Sequence, residues 1–250
     1  MLPFDDETTL SMLFHLNSEP WANMEAYQNA VYEVEYKNVS AMSPELLLPQ
    51  PPDTPLTSLA SKRASCRAFA PKTLPLQLLS AILWGSYGIS RTERILPANL
   101  LALLRPVPSA GGLFPLEIYF LAQRVEELPD GLHHYNVRHH SLETVQSAPL
   151  FERFRHALLM YNAVKDANVI MFLAAVFQRT QKKYGPRGYR YIFLEAGHIV
   201  QNVCLLAAEA NLSTLCMGGY SDGEVNLLLG LSPRDEGVVY SVAVGWPLQG

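Results

Sequence analysis

Cysteine is scarce in this chain. Cys66, Cys204 and Cys216 are the only three in 250 residues, widely separated and odd in number. That spacing fits neither a disulfide framework nor a zinc site, and a cytoplasmic compartment is expected. Charge is thin as well. Charged residues make up 17% of the chain, the net charge is -4 and no basic block occurs, which argues against nucleic acid or an anionic membrane as partner. No apolar run is expected to reach the ~20 residues of a bilayer span. Asp5, Asp6 and Glu7 stand where a secretory signal would be basic. No Gly-x-Gly-x-x-Gly opens a βαβ unit, so a dedicated dinucleotide-binding domain is not expected.

What is present leans apolar, at 49% hydrophobic residues, with length enough for one large domain or two small ones. The spacing predicts a helix within 20–37. Pro44, Pro49, Pro51, Pro52 and Pro55 then enforce an extended connector. Residues 1–58 read as an N-terminal arm and Pro-rich connector, and residues 59–250 as the main domain. In that domain helices are expected over 74–87, 150–161 and 224–229. Strands are expected over 116–122, 168–177, 213–217 and 238–244, with a hairpin near 133–140.

The most informative stretch is 183–202. Its first part is basic and aromatic, broken by Gly185, Pro186 and Gly188, and reads as a turn entering a helix. The helix that follows is apolar at Ile192, Ala196, Ile199, Val200 and Val203. Glu195, His198 and Asn202 form a polar stripe beside Gln201, and a buried stripe of this kind needs internal partners.

Two further segments can bind a ligand. Arg63, Ser65 and Arg67 alternate, so an extended backbone points all three one way, as a phosphate site or as a solvated strand edge. Pro108-Ser109-Ala110-Gly111-Gly112-Leu113-Phe114-Pro115 is poor in side chains, which suits either a plain turn or close approach to a flat or anionic ligand. His133, His134, His139 and His140 invite a metal reading. Adjacent strand residues face opposite ways, however, and no carboxylate or cysteine joins them at ligand spacing, so no metal is expected.

Four of these pieces, in order, resemble one family. Lys62-Arg63-Ala64-Ser65-Cys66-Arg67-Ala68-Phe69 resembles the Arg-x-Ser-x-Arg opening of the nitroreductase superfamily. The segment from Pro108 through Pro115-Leu116-Glu117 is similar to the Pro-Ser-Ala-Gly-Gly-Leu-Tyr-Pro-x-Glu loop of its SagB/McbC-type branch, the FMN-dependent azoline dehydrogenases. Lys183-Tyr184-Gly185, Arg190-Tyr191 and Glu195-Ala196-Gly197-His198-Ile199-x-Gln201-Asn202 resemble that branch's most distinctive signature, and Gly245-Trp246-Pro247 fits its ending. Phe114 replaces the usual tyrosine.

The resemblance implies an α+β fold of nitroreductase type, with a mostly antiparallel central sheet flanked by helices. It also implies a homodimer with FMN at the interface. Arg63, Ser65 and Arg67 would hold the phosphate end. Pro108, Ser109, Ala110, Gly111 and Gly112 would lie along the ring, bordered by Gly218 and Gly219, with Gln201 supporting the site. The catalytic pair would be Lys183 and Tyr184.

The implied reaction converts thiazoline or oxazoline to thiazole or oxazole in peptide natural-product biosynthesis. A base takes the Cα proton, flavin accepts the hydride, and O2 reoxidises the flavin. An azoline-containing peptide or carrier-bound substrate, and a cyclodehydratase or synthetase complex, would be the partners. The alternatives are an NAD(P)H-dependent nitroreductase or quinone reductase, dehydrogenation of another carrier-bound or small amine substrate, and an inactive flavoprotein scaffold.

Overall fold

The computed structural model describes residues 46–95, 100–232 and 235–248 and, outside these, only residues 14, 18, 34, 36 and 37. The helix expected over 20–37 falls almost wholly outside them. Helix α1 (Pro55–Lys62) starts on a proline and is capped by Thr54, whose hydroxyl accepts from the Thr57 N–H. It crosses the expected boundary at residue 58 and buries none of its residues. Helix α2 (Leu76–Tyr87) buries Leu79, Ile82, Leu83 and Tyr87 at helical spacing. A separate two-stranded ribbon follows, β1 (Arg91–Ile95) and β2 (Leu100–Leu104).

The main sheet takes β3 (Leu116–Ala122), β4 (Gly131–Asn136), β5 (Ser141–Ser147), β6 (Val169–Val176), β7 (Ser213–Met217) and β8 (Glu236–Gly245). Their order is β5-β4-β3-β6-β8-β7, and every neighbouring pair is antiparallel. The strand of apolar run 169–176 lies at the centre, and seven of its eight residues are buried. A strand without alternation is one covered on both faces.

One face carries α2 and the 23-residue α5 (Arg187–Glu209), whose Ile192, Ala196, Ile199 and Val203 pack with Ile118, Met171 and Val242. The other face is covered by Phe151, Phe154, Leu158, Tyr161 and the short helix α6 (Asp222–Leu229), packed on Leu121, Ile170, Phe172 and Ala243. The antiparallel sheet with helices on both sides matches the expected α+β class.

Three expectations need correcting. Residues 150–161 do not form one helix. A 3-10 turn at Phe151–Phe154 is followed by the four-residue α3 (Tyr161–Val164). The backbone between them pairs sideways instead, with Leu159 N–H donating to Gly219 O and Ser221 N–H to Ala157 O. The second concerns the turn expected at the start of 183–202: it is confined to Gly185 and Pro186, Lys183 and Tyr184 instead close helix α4 (Phe177–Tyr184), and α5 begins directly at Arg187. Gly188 is no breaker: it is buried inside α5, and a Cβ there would lie 3.0 Å from the Gln181 nitrogen. The third is apolar length. By length and composition alone α5 is long enough to cross a membrane, with mean hydropathy 1.3 over its best window, yet its buried residues make it the core helix of this sheet.

Because Ile199 is fully buried between α2 and the sheet, Ile199→Ala should lower unfolding stability by about 2–5 kcal/mol. A urea titration reads this, and a loss under about 1 kcal/mol would contradict the packing.

Candidate active site

The site is built where α4 meets the loop before β3. Strand β6 hands over to α4 through Val176 N–H, which donates to Pro115 O at 2.9 Å, and Phe177 N–H, which donates to Asp235 O at 3.1 Å. The helix ends at Gly185, φ 56°, whose N–H donates to Gln181 O. Lys182 and Lys183 thus fall in its last turn, where cations complement the carbonyl end of a helix.

Facing them, Ala110–Gly112 make a short 3-10 turn, with Gly111 and Gly112 at φ 66° and 65°. This is left-handed backbone that favours glycine. A Cβ placed on Gly111 would lie 2.7 Å from Tyr184 Oη and 2.8 Å from Lys183 Nζ. The polar ends of both expected catalytic side chains therefore converge on one bare peptide. Tyr184 is steadied from behind by the edge of Tyr191, ring centroids 5.1 Å apart.

Beneath the loop lies a buried polar cluster. Tyr87 donates to Glu195 Oε1 at 2.7 Å and accepts from Leu116 N–H at 3.3 Å. Ser109 Oγ accepts from Phe114 N–H at 2.9 Å, and its hydroxyl is bonded to Glu195. Burial pushes the Glu195 carboxyl above its ordinary range against the bonds from Ser109 and Tyr87. Arg105 stacks over the Tyr87 ring at 3.9 Å and Phe114 at 4.7 Å, and its Nη1 is buried with no hydrogen-bond partner among the described residues. Of the polar stripe on α5 only Glu195 is buried. Asn202 is half-buried, and His198 and Gln201 are exposed, so the stripe does not turn inward as a whole.

The second set of expected residues gathers further along α5. Ser65 forms a parallel bridge with Thr214, and Cys66 N–H donates to Thr214 O at 2.9 Å, so this segment is extended as expected. Arg63 and Lys62 line a cavity of about 210 Å³ with Cys204, Ser213 and Thr214; Arg63, Ser65 and Arg67 are all exposed, and Ser65 and Arg67 do not line it. Cys204 on α5 and Cys216 on β7, twelve positions apart, lie with sulfurs 3.6 Å apart as free thiols. The bond from Cys216 holds the Cys204 thiol below its ordinary range and raises Cys216 itself. Gly219 packs on Leu159, and a Cβ on Gly218 or Gly112 would meet nothing within 4 Å.

Tyr87, Arg105 and an ionic chain behind the loop carry no local sequence signal. The chain runs Arg179–Glu117–His134–Glu143 across α4, β3, β4 and β5. His133, one residue away, points instead to Pro129 O and Thr144, the alternation expected of strand histidines.

Residues 60–246 match the Nitroreductase family model. The chain belongs to the nitroreductase family. Over 185 residues it is 31% identical to MJ1384 of Methanocaldococcus jannaschii, a protein named as a nitroreductase, covering 74% of this chain and 89% of that one. It is 26% identical to the trifolitoxin-processing protein TfxB of Rhizobium leguminosarum bv. trifolii, over 76% of this chain and 54% of TfxB, so it spans about half of that relative. Among solved structures, the E. coli microcin synthetase McbBCD complex with truncated pro-MccB17 bound superposes at a TM-score of 0.72 and 19% identity, over 97% of this chain and 94% of that one. These likenesses go with the SagB/McbC-type branch, and family membership makes the chain an oxidoreductase.

His134 donates from Nε2 to Glu117 at 3.1 Å and from Nδ1 to Glu143 at 2.9 Å, which requires the imidazolium form. The bond to Glu117 leads the causes that raise its pKa. A raised histidine stabilises the fold fully below the unfolded value of about 6.5 and loses that contribution as pH rises through the folded value. The unfolding midpoint of His134→Gln should therefore fall below wild type by a few degrees at pH 6, and the gap should narrow by pH 9. A gap of equal size at both pH values would contradict the ionic chain.

Proposed function

We propose that the chain is an FMN-dependent dehydrogenase that oxidises thiazoline or oxazoline rings in a modified peptide to thiazole or oxazole, with O2 reoxidising the flavin. The convergence of Lys183 Nζ and Tyr184 Oη on the bare Gly111 backbone carries this reading. A reductase fed by NAD(P)H has no need of such a pair at the ring-binding loop.

The residues fit FMN. The open space over Gly112 and Gly218 leaves backbone free for a flat ring, and Arg63 lines a small polar cavity suited to a phosphate. Helix α5 links the two features, with Glu195 under the loop and Cys204 beside Arg63. These are nine positions apart (195 to 204), or roughly 14 Å along the axis. A ligand with a phosphate at one end and a flat ring at the other matches that layout. A homodimer with FMN at its interface agrees with exposed Phe193 and Leu194 on α5.

Bound flavin would supply the two-electron acceptor. Lys183 Nζ is the group placed to take the Cα proton of the azoline, and the Tyr184 hydroxyl, on the same glycine, holds or relays it. Gly111 keeps that space clear. Phe177 at the head of α4 and the buried Glu195 cluster below the loop hold both walls in place. The names of TfxB and of the McbBCD complex support a peptide substrate, presented with a cyclodehydratase or synthetase complex. The family and MJ1384 favour one second reading, a nitroreductase or quinone reductase using NAD(P)H.

Lys183→Ala should retain FMN while azoline turnover falls by about 100-fold or more, the scale of a lost general base. Single-turnover oxidation of an azoline peptide checks this. Unchanged turnover would remove Lys183 from the chemistry.

A further inference from the structure

Arg179 sits one helical turn before Lys183 on α4, at i and i+4, so both side chains lie on one face of the helix. Its guanidinium is held from two directions. Nη1 pairs with Glu117 Oε1 at 2.5 Å and lies 3.4 Å from the carbonyl oxygen of Phe114. Glu117 stands on β3 in the middle of the sheet, and its second oxygen takes a bond from His134 on β4, itself paired with Glu143 on β5. Asn136 holds the other Glu143 oxygen at 2.6 Å. The anchor behind Arg179 is therefore three adjacent strands.

The other end of the contact matters as much. Phe114 has φ 44°, a left-handed conformation that is strained for an aromatic residue. It persists because both flanking peptide groups are taken: the N–H by Ser109 Oγ and the carbonyl by Arg179. Phe114 closes the loop that carries Gly111. Arg179 thus reaches the helix bearing Lys183 and Tyr184, the loop bearing Gly111, and the sheet between them. The main-chain bond from Phe177 to Asp235 secures the first residue of α4, and the last turn packs on α5 through the ring of Tyr191. An arginine suits this position because the two N–H groups of one terminal nitrogen are fixed in the guanidinium plane and can serve a carboxylate and a carbonyl in set directions, which a freely rotating ammonium does with less geometric control.

We propose that Arg179 is a positioning residue: its ion pair with Glu117 and its bond to Phe114 O set the last turn of α4 against Gly111 and keep Lys183 Nζ and Tyr184 Oη on that backbone. This rests on the proposed role of Lys183 in proton transfer, but its test needs no turnover.

The full-length protein is treated with a limiting amine-acylating reagent at one pH, and modification of Lys183 is read by peptide mass spectrometry relative to Lys182, its neighbour and likewise exposed. In Arg179→Met the Lys183/Lys182 ratio should rise by roughly threefold or more, the size of coupling that neighbouring groups carry, with the Lys182 rate unchanged. Glu117→Gln should move it the same way by less, and the double variant should not exceed Arg179→Met alone.

An unchanged ratio in a folded Arg179→Met protein would overturn the proposal. So would an equal rise at both lysines, which marks fraying of the whole helix. Should Arg179→Met not fold, Glu117→Gln decides in the same terms. Failure of the azoline reading shows separately, as turnover that survives Lys183→Ala whatever the labelling ratio.

Discussion

Everything at the candidate site depends on one peptide that cannot carry a side chain. With Tyr184 Oη and Lys183 Nζ less than 3 Å from where a Cβ would stand on Gly111, any residue larger than glycine would push the two polar ends away. Any L-residue there would also be strained at φ 66°. The rest of the architecture keeps this approach close. The six-stranded sheet presents the loop at the head of β3 and α4 at the tail of β6, two strands that are direct neighbours. Leu116 pairs with Ala175 in the register, so the two walls of the site leave the sheet side by side.

Support from below is polar, and it is costly unless completed. Glu195 is 2% exposed in the middle of a helix that is otherwise apolar on its inner face. Such a carboxyl is tolerated only because Tyr87 and Ser109 bond to it, and the field of Arg105 favours its charged form. Helices α2 and α5, distant in sequence, are thereby tied to the underside of the loop. The Arg179 chain plays the corresponding part from the sheet side, so the strained turn at Phe114 is gripped from both directions.

Much of this was legible in the sequence, for identifiable reasons. The nearly continuous apolar run within 168–177 and the segment 116–122 read as strands, and both are strands of the sheet. The Gly-Gly loop announced bare backbone, and resemblance to the family drew attention to Lys183 and Tyr184. The helical character of 177–184 was hidden because Gln178, Arg179, Gln181, Lys182 and Lys183 leave little apolar periodicity to count. Residues 150–161 had that periodicity, but their backbone finds better partners across the chain at 219–221. Tyr87, Arg105, Glu117 and His134 could not be identified as one supporting frame, since their partners lie up to 108 positions away. Cys204 and Cys216 gave no hint of their contact because it depends on how α5 packs against β7, which their spacing does not report.

The measurement that bears most directly on the central claim is anaerobic bleaching of the flavin in the purified protein, titrated with an azoline-containing peptide and separately with NADPH. The account predicts a yellow protein whose colour is lost on adding the azoline peptide, with azole formed in equal amount, and recovers on admitting oxygen. Bleaching by NADPH with none by the azoline would contradict it and leave a reductase in its place. A colourless protein that cannot be reconstituted with FMN would contradict the flavin site itself.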